Sequence, residues 1–219
     1  MLLRRQVKAG PAMGTSVADR VRIGVVSVQG DVSEHVEISQ TALSRLRLKG
    51  DVGPLRTAQD AEEADAVVIP GGESTTISKL LVRTGALGVL QRRIRDESLP
   101  VLGTCAGAIL LAKEGDNQVA KTRTELIAAM DIAVDRNAFG RQRESFETDL
   151  VVEGEDEPVH AVFIRAPAIT RVWGACRVLA TFDDRIVAAE EGNLIALAFH
   201  PEIAGDPRFH VRLLRRLRR

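Results

Sequence analysis

Aromatic residues are scarce in this chain. They make up 3% of it, with one Trp and no Tyr, which leaves little material for the stacking platforms that hold single-stranded nucleic acid. An excess of charge of one sign is missing too. Lys and Arg number 30, Asp and Glu number 30, and the formal net charge is zero. A nucleic-acid binder needs a net basic face, so no nucleic-acid partner is expected. No segment approaches the ~18 apolar residues that a membrane-spanning helix requires. The opening MLLRRQVKAGPAMGTS also lacks the apolar core, about 7–15 residues long, of a secretory signal. No membrane partner and a cytoplasmic setting are therefore the default. The two cysteines, Cys105 and Cys176, are too few for a disulfide scaffold. No Cys/His cluster has metal-ligand spacing, so no metal is expected.

What is present reads as one large globular unit. At roughly 150 residues per domain, 219 residues allow one or two domains, and hydrophobic residues at 45% supply a core without a staple. RIGVVSV (22–28), DAVVI (65–69) and PVLG (100–103) are short apolar runs that read as buried strands. Helical patterns follow each: Val32 to Leu48, a helix through Leu80 and Leu81 with Ser74 and Thr75 as N-caps, Gly85 to Arg95, and Ala106 to Lys113. This alternation implies an α/β fold, a mixed, mostly parallel sheet flanked by helices. In the second half, strands are expected at 146–153, 159–164, 178–182, 185–189 and 193–199, some extending the sheet in antiparallel fashion, with a closing helix over 206–218. Residues 1–20 read as a flexible extension, in which Met13 is an alternative start, and 21–219 as a single domain. The terminal RLLRRLRR reads as a solvated helix end.

Three short motifs carry chemistry. Gly103-Thr104-Cys105-Ala106-Gly107 lies between a strand and a helix and has the pattern of a nucleophile elbow with Cys as its centre. Small neighbours let the chain reverse sharply, the helix start favours a thiolate, and the Ala106 N–H points where an oxyanion would form. The bland alternative is a buried structural Cys on a tight turn. His200-Pro201-Glu202 follows the last strand, so an imidazole with a carboxylate behind it can stand at a strand end; alone, such a His is equally a surface or capping residue. Pro70-Gly71-Gly72-Glu73 also follows a strand, and reads as a second oxyanion wall or a plain turn. The residues of a Walker phosphate loop are absent. His35, His160 and His210 read as structural, as does Cys176.

These motifs converge. The chain resembles the class I, triad-type glutamine amidotransferases, and within them the glutaminase subunits of pyridoxal 5′-phosphate synthase (the PdxT family). The resemblance rests on GVVSVQGDVSEH (24–35), PGGESTT (70–76), GTCAGAILLAK (103–113), DRNAFGRQRESFE (135–147), VFIRAP (162–167), RIVAAEEGN (185–193) and AFHPE (198–202), and runs from Arg22 to the C-terminus. It implies flavodoxin-like layering, with Cys105 as nucleophile, His200 as base and Glu202 as its orienter. Gly71, Gly72, Glu73, Arg136, Ile164 and Arg165 match glutamine contacts, and Ala106 and Gly72 match oxyanion donors. It further implies L-glutamine as substrate, no cofactor, and delivery of ammonia to a separate PdxS-type synthase subunit in a large hetero-oligomer, with Gln29-Gly30-Asp31 as a docking region. Two rivals stand beside this reading: an amidotransferase serving a different synthase, and a non-catalytic module of the same fold that senses glutamine or scaffolds a complex.

Overall fold

The computed structural model describes residues 20–27, 32–136, 138 and 145–217. The extension ahead of Arg20, Gln29-Gly30-Asp31 and most of the run after Arg136 lie outside the described residues. In chain order the elements are β1 (Val21–Val26), α1 (Val32–Arg45), β2 (Gly50–Leu55), α2 (Ala58–Glu63), β3 (Ala66–Ile69), α3 (Ser74–Arg83), α4 (Ala86–Glu97), β4 (Val101–Thr104), α5 (Ala106–Leu111), β5 (Ala112–Gly115), α6 (Asn117–Thr122), β6 (Met130–Asp135), β7 (Ser145–Leu150), β8 (Val159–Ile164), β9 (Ala168–Val172), β10 (Arg177–Phe182), β11 (Arg185–Glu191), β12 (Leu194–Leu197) and α7 (Arg208–Leu214).

Ten of these strands share one sheet, ordered β2-β1-β3-β4-β12-β11-β9-β6-β5, with β10 paired to β11. The first five are mutually parallel; from β12 to β6 the pairings turn antiparallel. The fold is α/β, as the alternation of elements requires. The central strands are apolar on both faces because both are covered. Val67, Ile69, Val101 and Ala196 point into a core shared with α2, α3, α4 and α5. Ala66, Val68, Leu102 and Leu197 point into a second core under α1, α7 and the β7–β8 hairpin. The few aromatics are concentrated in that second core. Phe146, Phe163, Phe182, Phe199 and Phe209 form one run of ring contacts, with centroids 4.6–5.9 Å apart.

Several elements differ from the sequence expectation. Strand β2, where the sequence reading places no strand, carries Pro54 and lies at one end of the sheet, where a missing N–H costs least. Strands β7 and β8 pair only with each other among the described residues. Helix α3 is capped by Glu73, not by Ser74 or Thr75. The Glu73 carboxylate accepts from the N–H groups of Thr75 (3.0 Å) and Thr76 (2.7 Å), and Ser74 is the first helical residue, its hydroxyl buried. Helix α5 stops at Leu111 and the chain turns straight into β5.

Candidate active site

Three adjacent parallel strands, β3, β4 and β12, end at one edge of the sheet. They deliver Gly71–Glu73, Cys105 and His200 respectively. Carboxyl ends of parallel strands are where open α/β sheets gather their ligands.

Cys105 occupies the turn between β4 and α5 at φ 47°, ψ −101°. A non-glycine residue held there stores on the order of 1–3 kcal/mol of backbone strain. The surroundings impose it. The Cys105 N–H donates to the Leu197 carbonyl at 2.8 Å. A Cβ added to Gly103 would lie 2.6 Å from the Gly107 carbonyl carbon, and one added to Gly107 would collide with the Ile69 carbonyl oxygen at the end of β3. Both glycines of the elbow are thus fixed by close backbone approach. Cys105 itself is 8% exposed, more enclosed than an open elbow, with its Sγ 3.9 Å from the Ile164 carbonyl oxygen.

His200 is almost wholly buried, and its Nδ1 lies 2.6 Å from Glu202 Oε1. Burial alone would favour the neutral ring. Hydrogen bonding and charge from Cys105 and from Glu202 outweigh it and raise the His200 pKa to about 10. Glu202 is the converse: burial opposes its charge, but bonds from His200 and His35 hold its pKa down to about 2. Gly71 packs so tightly on the His200 ring that any side chain there would strike it. The His200 N–H donates to the Val162 carbonyl at 2.8 Å, tying the turn to β8.

Gly72 stands at φ 126°, a conformation that favours glycine. Glu73 is engaged as the cap of α3, with its pKa at about 2. Burial pushes it up, and the bonds from Thr76 and Thr75 more than offset this. Arg136 comes over this helix start: its guanidinium is 3.3 Å from Glu73 Oε1, 3.4 Å from Thr122 Oγ1 and 3.5 Å from Thr75 Oγ1. Ile164 arrives from the other side at the end of β8, and Arg165 follows it, exposed, at φ 45°. Among the described residues no hydrogen bond joins Arg165 to Arg136 or to the Cys-His-Glu group. Ala106 is fully buried as the first residue of α5.

The sequence reading set His35 and His210 aside, but the structure brings them to the same place. His35 Nε2 is 3.3 Å from Glu202 Oε1 and 3.1 Å from Thr104 Oγ1, and its Nδ1 is 3.0 Å from His210 Nε2. The available signal was positional: His35 lies in the first turn after β1, the strand beside β3, and so at the same sheet edge. Cys176 is elsewhere, its pKa pushed to about 12 by burial and then by the carboxylates of Glu191, Asp131 and Glu190, which leaves it an inert thiol.

The chain matches the SNO glutamine amidotransferase family over residues 25–218. It belongs to that family. A relative from Methanocella arvoryzae, described as pyridoxal 5′-phosphate synthase subunit PdxT, is 50% identical over 190 residues, covering 87% of this chain and 94% of its own. A protein of the same description from Archaeoglobus fulgidus is 52% identical over 191 residues, covering 87% of this chain and 95% of its own. A crystal structure of a glutamine amidotransferase superposes with a TM-score of 0.78 at 42% identity, covering 89% of this chain and 98% of that one. Among the described residues no helix is long and apolar enough to cross a membrane.

Proposed function

We propose that this chain hydrolyses L-glutamine to L-glutamate and ammonia, and hands the ammonia to a separate pyridoxal 5′-phosphate synthase subunit. The observation that carries the reading is a cysteine on a strained elbow after β4, with a buried histidine delivered by the neighbouring strand β12 whose Nδ1 meets a buried carboxylate. His200 takes the Cys105 proton, and the sulfur attacks the side-chain amide carbon of glutamine. The resulting oxyanion is met by the N–H groups of Ala106 and Gly72. His200 returns its proton to the amide nitrogen, which leaves as ammonia, and a thioester remains on Cys105. His200 then takes a proton from water, whose oxygen attacks the thioester carbon; glutamate departs and the thiol is restored. Glu202 stays ionised throughout and keeps the imidazole in the tautomer that faces Cys105.

The amino-acid end of glutamine goes to Arg136, whose planar fork pairs a carboxylate with two parallel bonds. Ile164 and Arg165 close the opposite wall, and Glu73 holds the loop that presents Gly71 and Gly72. Delivery of ammonia to a partner agrees with the relatives, each described as a subunit of pyridoxal 5′-phosphate synthase. Gly72 supplies a switch, since a flip of its peptide would turn the oxyanion donor toward or away from the substrate.

The test is glutamate release by the purified chain, with and without a saturating synthase subunit that is itself inactive. The subunit is expected to raise kcat more than it lowers KM. Cys105→Ala should lower turnover by roughly three orders of magnitude or more, with the fold intact by circular dichroism, whereas Cys176→Ala keeps wild-type activity. Near-normal turnover in Cys105→Ala would overturn the mechanism, and equal kcat with and without the subunit would overturn the switch.

A further inference from the structure

Behind Glu202 lies a group of buried polar side chains that the mechanism above leaves unused. His35 on α1, Thr104 on β4 and His210 on α7 are all buried; His35 meets the Glu202 carboxylate opposite His200, and Thr104 and His210 meet the His35 ring. The proton positions follow from the geometry. His35 Nε2 faces two oxygens, Thr104 Oγ1 at 3.1 Å and Glu202 Oε1 at 3.3 Å; the carboxylate only accepts, so a proton on Nε2 satisfies it while the Thr104 hydroxyl accepts a share of the same N–H. In a neutral ring Nδ1 is then an acceptor, and His210 Nε2, 3.0 Å away, must be its donor. That leaves His210 Nδ1 as a bare lone pair, and it is this atom that has no hydrogen-bond partner among the described residues. An orphaned N–H is the rarer and costlier case. A doubly protonated His35 would force one, because His210 would have to turn its acceptor to His35 and bury its own N–H unpaired. Each ring thus has one tautomer that satisfies the site.

We infer that His35 is a positioning residue of this active site: its Nε2–H, fixed by His210 behind it, is the second donor to the Glu202 oxygen that also orients His200. The inference rests on the glutaminase reading above. Glu202 Oε2 has no partner among the described residues, so both donors converge on Oε1. Without His35 the buried carboxylate keeps a single charge-stabilising bond. It would then take up a proton more readily or turn away, and either loosens its hold on His200. The bond to Thr104 places the same ring against the residue that precedes Cys105, so one side chain braces both ends of the triad.

The experiment uses the full chain. His35→Leu removes both ring nitrogens, and His35→Gln returns an N–H close to the Nε2 position. The Leu variant should lose about ten- to a hundred-fold in kcat, the scale seen when the outer partner of a functional side chain is removed, with KM little changed. The acid limb of its kcat–pH profile should move upward by about one pH unit, a roughly tenfold weaker hold on ionised Glu202. The Gln variant should recover most of the rate and return the limb. A filler role would lower Tm without moving the limb, and Gln would rescue no better than Leu; either result overturns the inference. Should the Leu variant not fold, the Gln variant and nitrogen-15 NMR of the four histidines decide it: His35 is expected to carry its proton at Nε2, and a proton on Nδ1 in its place overturns the assignment. Wild type that released no glutamate would count against the glutaminase reading, while the tautomer measurement would still judge the contact between His35 and Glu202.

Discussion

Two glutamates of this chain are each 5% exposed, and they do opposite things. Glu202 faces two histidines at the carboxyl edge of the sheet. Glu190, on β11, faces three arginines: Arg212 at 3.0 Å, with Arg177 and Arg216 also bonded to it. Burial opposes the charge of both, and their partners restore it. The difference lies in what the partners can do. Arginine never gives up its proton in a protein, so the Glu190 knot has constant charge and can only tie. Histidine gains and loses protons near neutrality, so the Glu202 cluster can move them. Helix α7 touches both: His210 turns to the histidine cluster, while Arg212 and, just beyond the helix, Arg216 reach Glu190. Equal burial of one residue type says nothing about role until the chemistry of the partners is known.

The sharpest way to break this comparison is the same substitution at both carboxylates. Glu202→Gln should lower kcat by about 10³–10⁴, as loss of an orienting carboxylate does in related triads, because the amide presents the wrong partner to His200 Nδ1. Glu190→Gln should leave activity per folded molecule unchanged and cost about 2–4 kcal/mol of stability, since it strands arginine charge in a partly buried place. Denaturant midpoints and glutamate-release rates on both proteins check it. A Glu190→Gln enzyme with normal stability, or a Glu202→Gln enzyme with normal kcat, would erase the distinction.

The two clusters were not equally legible in the sequence. Cys105, His200 and the Gly-rich turn could be read because each follows a strand buried on both faces, and such strands betray themselves by short apolar runs. The sheet order that makes β3, β4 and β12 neighbours was not readable, since it depends on β12 returning from the far end of the chain. Strand β6 (MDIAVD) buries every second residue and β9 (AITRV) only its first two, so polar outward positions dilute the apolar signal of strands this short. His35 closes the GVVSVQGDVSEH run, but His210 carries no motif and lies far away in sequence, and only the packing of α1 on α7 brings the two together. The C-terminal arginine run read as a solvated helix end, but the side chains of Arg212 and Arg216 are 18% and 15% exposed and grip Glu190. A charge run does not announce which of its members face inward.

Dependence on pH sharpens the comparison next. The His200 pKa is raised from 6.5 to about 10, so its share of stability is complete below 6.5 and is lost as pH climbs toward 10. Glu202, lowered from 4.5 to about 2, contributes above 4.5 and fails as pH falls toward 2. His210, pushed from 6.5 to about 3 by burial and then by His35, also contributes on the alkaline side of 6.5 and is lost below it. The histidine cluster should therefore give a stability maximum near pH 6.5, with loss on both sides. Cys105→Ala removes one cause of the raised His200 value and should flatten the alkaline slope of Tm against pH, whereas Glu190→Gln should shift the whole curve down without changing that slope. Parallel alkaline slopes in wild type and Cys105→Ala would show that His200 is not the group responsible.

The smallest effect belongs to a pair that stands between the two extremes. Glu73 and Arg136 are a carboxylate and an arginine, like the Glu190 knot, yet they lie at the active edge, like Glu202. Their contact is loose, 3.3 Å, and the Glu73 side chain is 46% exposed. Such a pair contributes about 0–1 kcal/mol, so Arg136→Lys should leave Tm nearly unchanged. Its consequence should appear in recognition. The three contacts of the Arg136 guanidinium are long enough for the group to turn toward an arriving carboxylate, and a lysine brings the charge without the planar fork. Loss of one of two parallel charge-assisted bonds is worth roughly 1.5 kcal/mol, so kcat/KM for glutamine should fall about tenfold, mostly through KM. Cys105 alkylation by a small neutral reagent should stay near the wild-type rate, because the elbow does not depend on Arg136. Arg165→Lys, measured beside it, asks the same of the exposed arginine after β8. Unchanged glutamine kinetics at either position would remove that arginine from the substrate site, and slowed alkylation in Arg136→Lys would place its role in holding the α3 start rather than in binding.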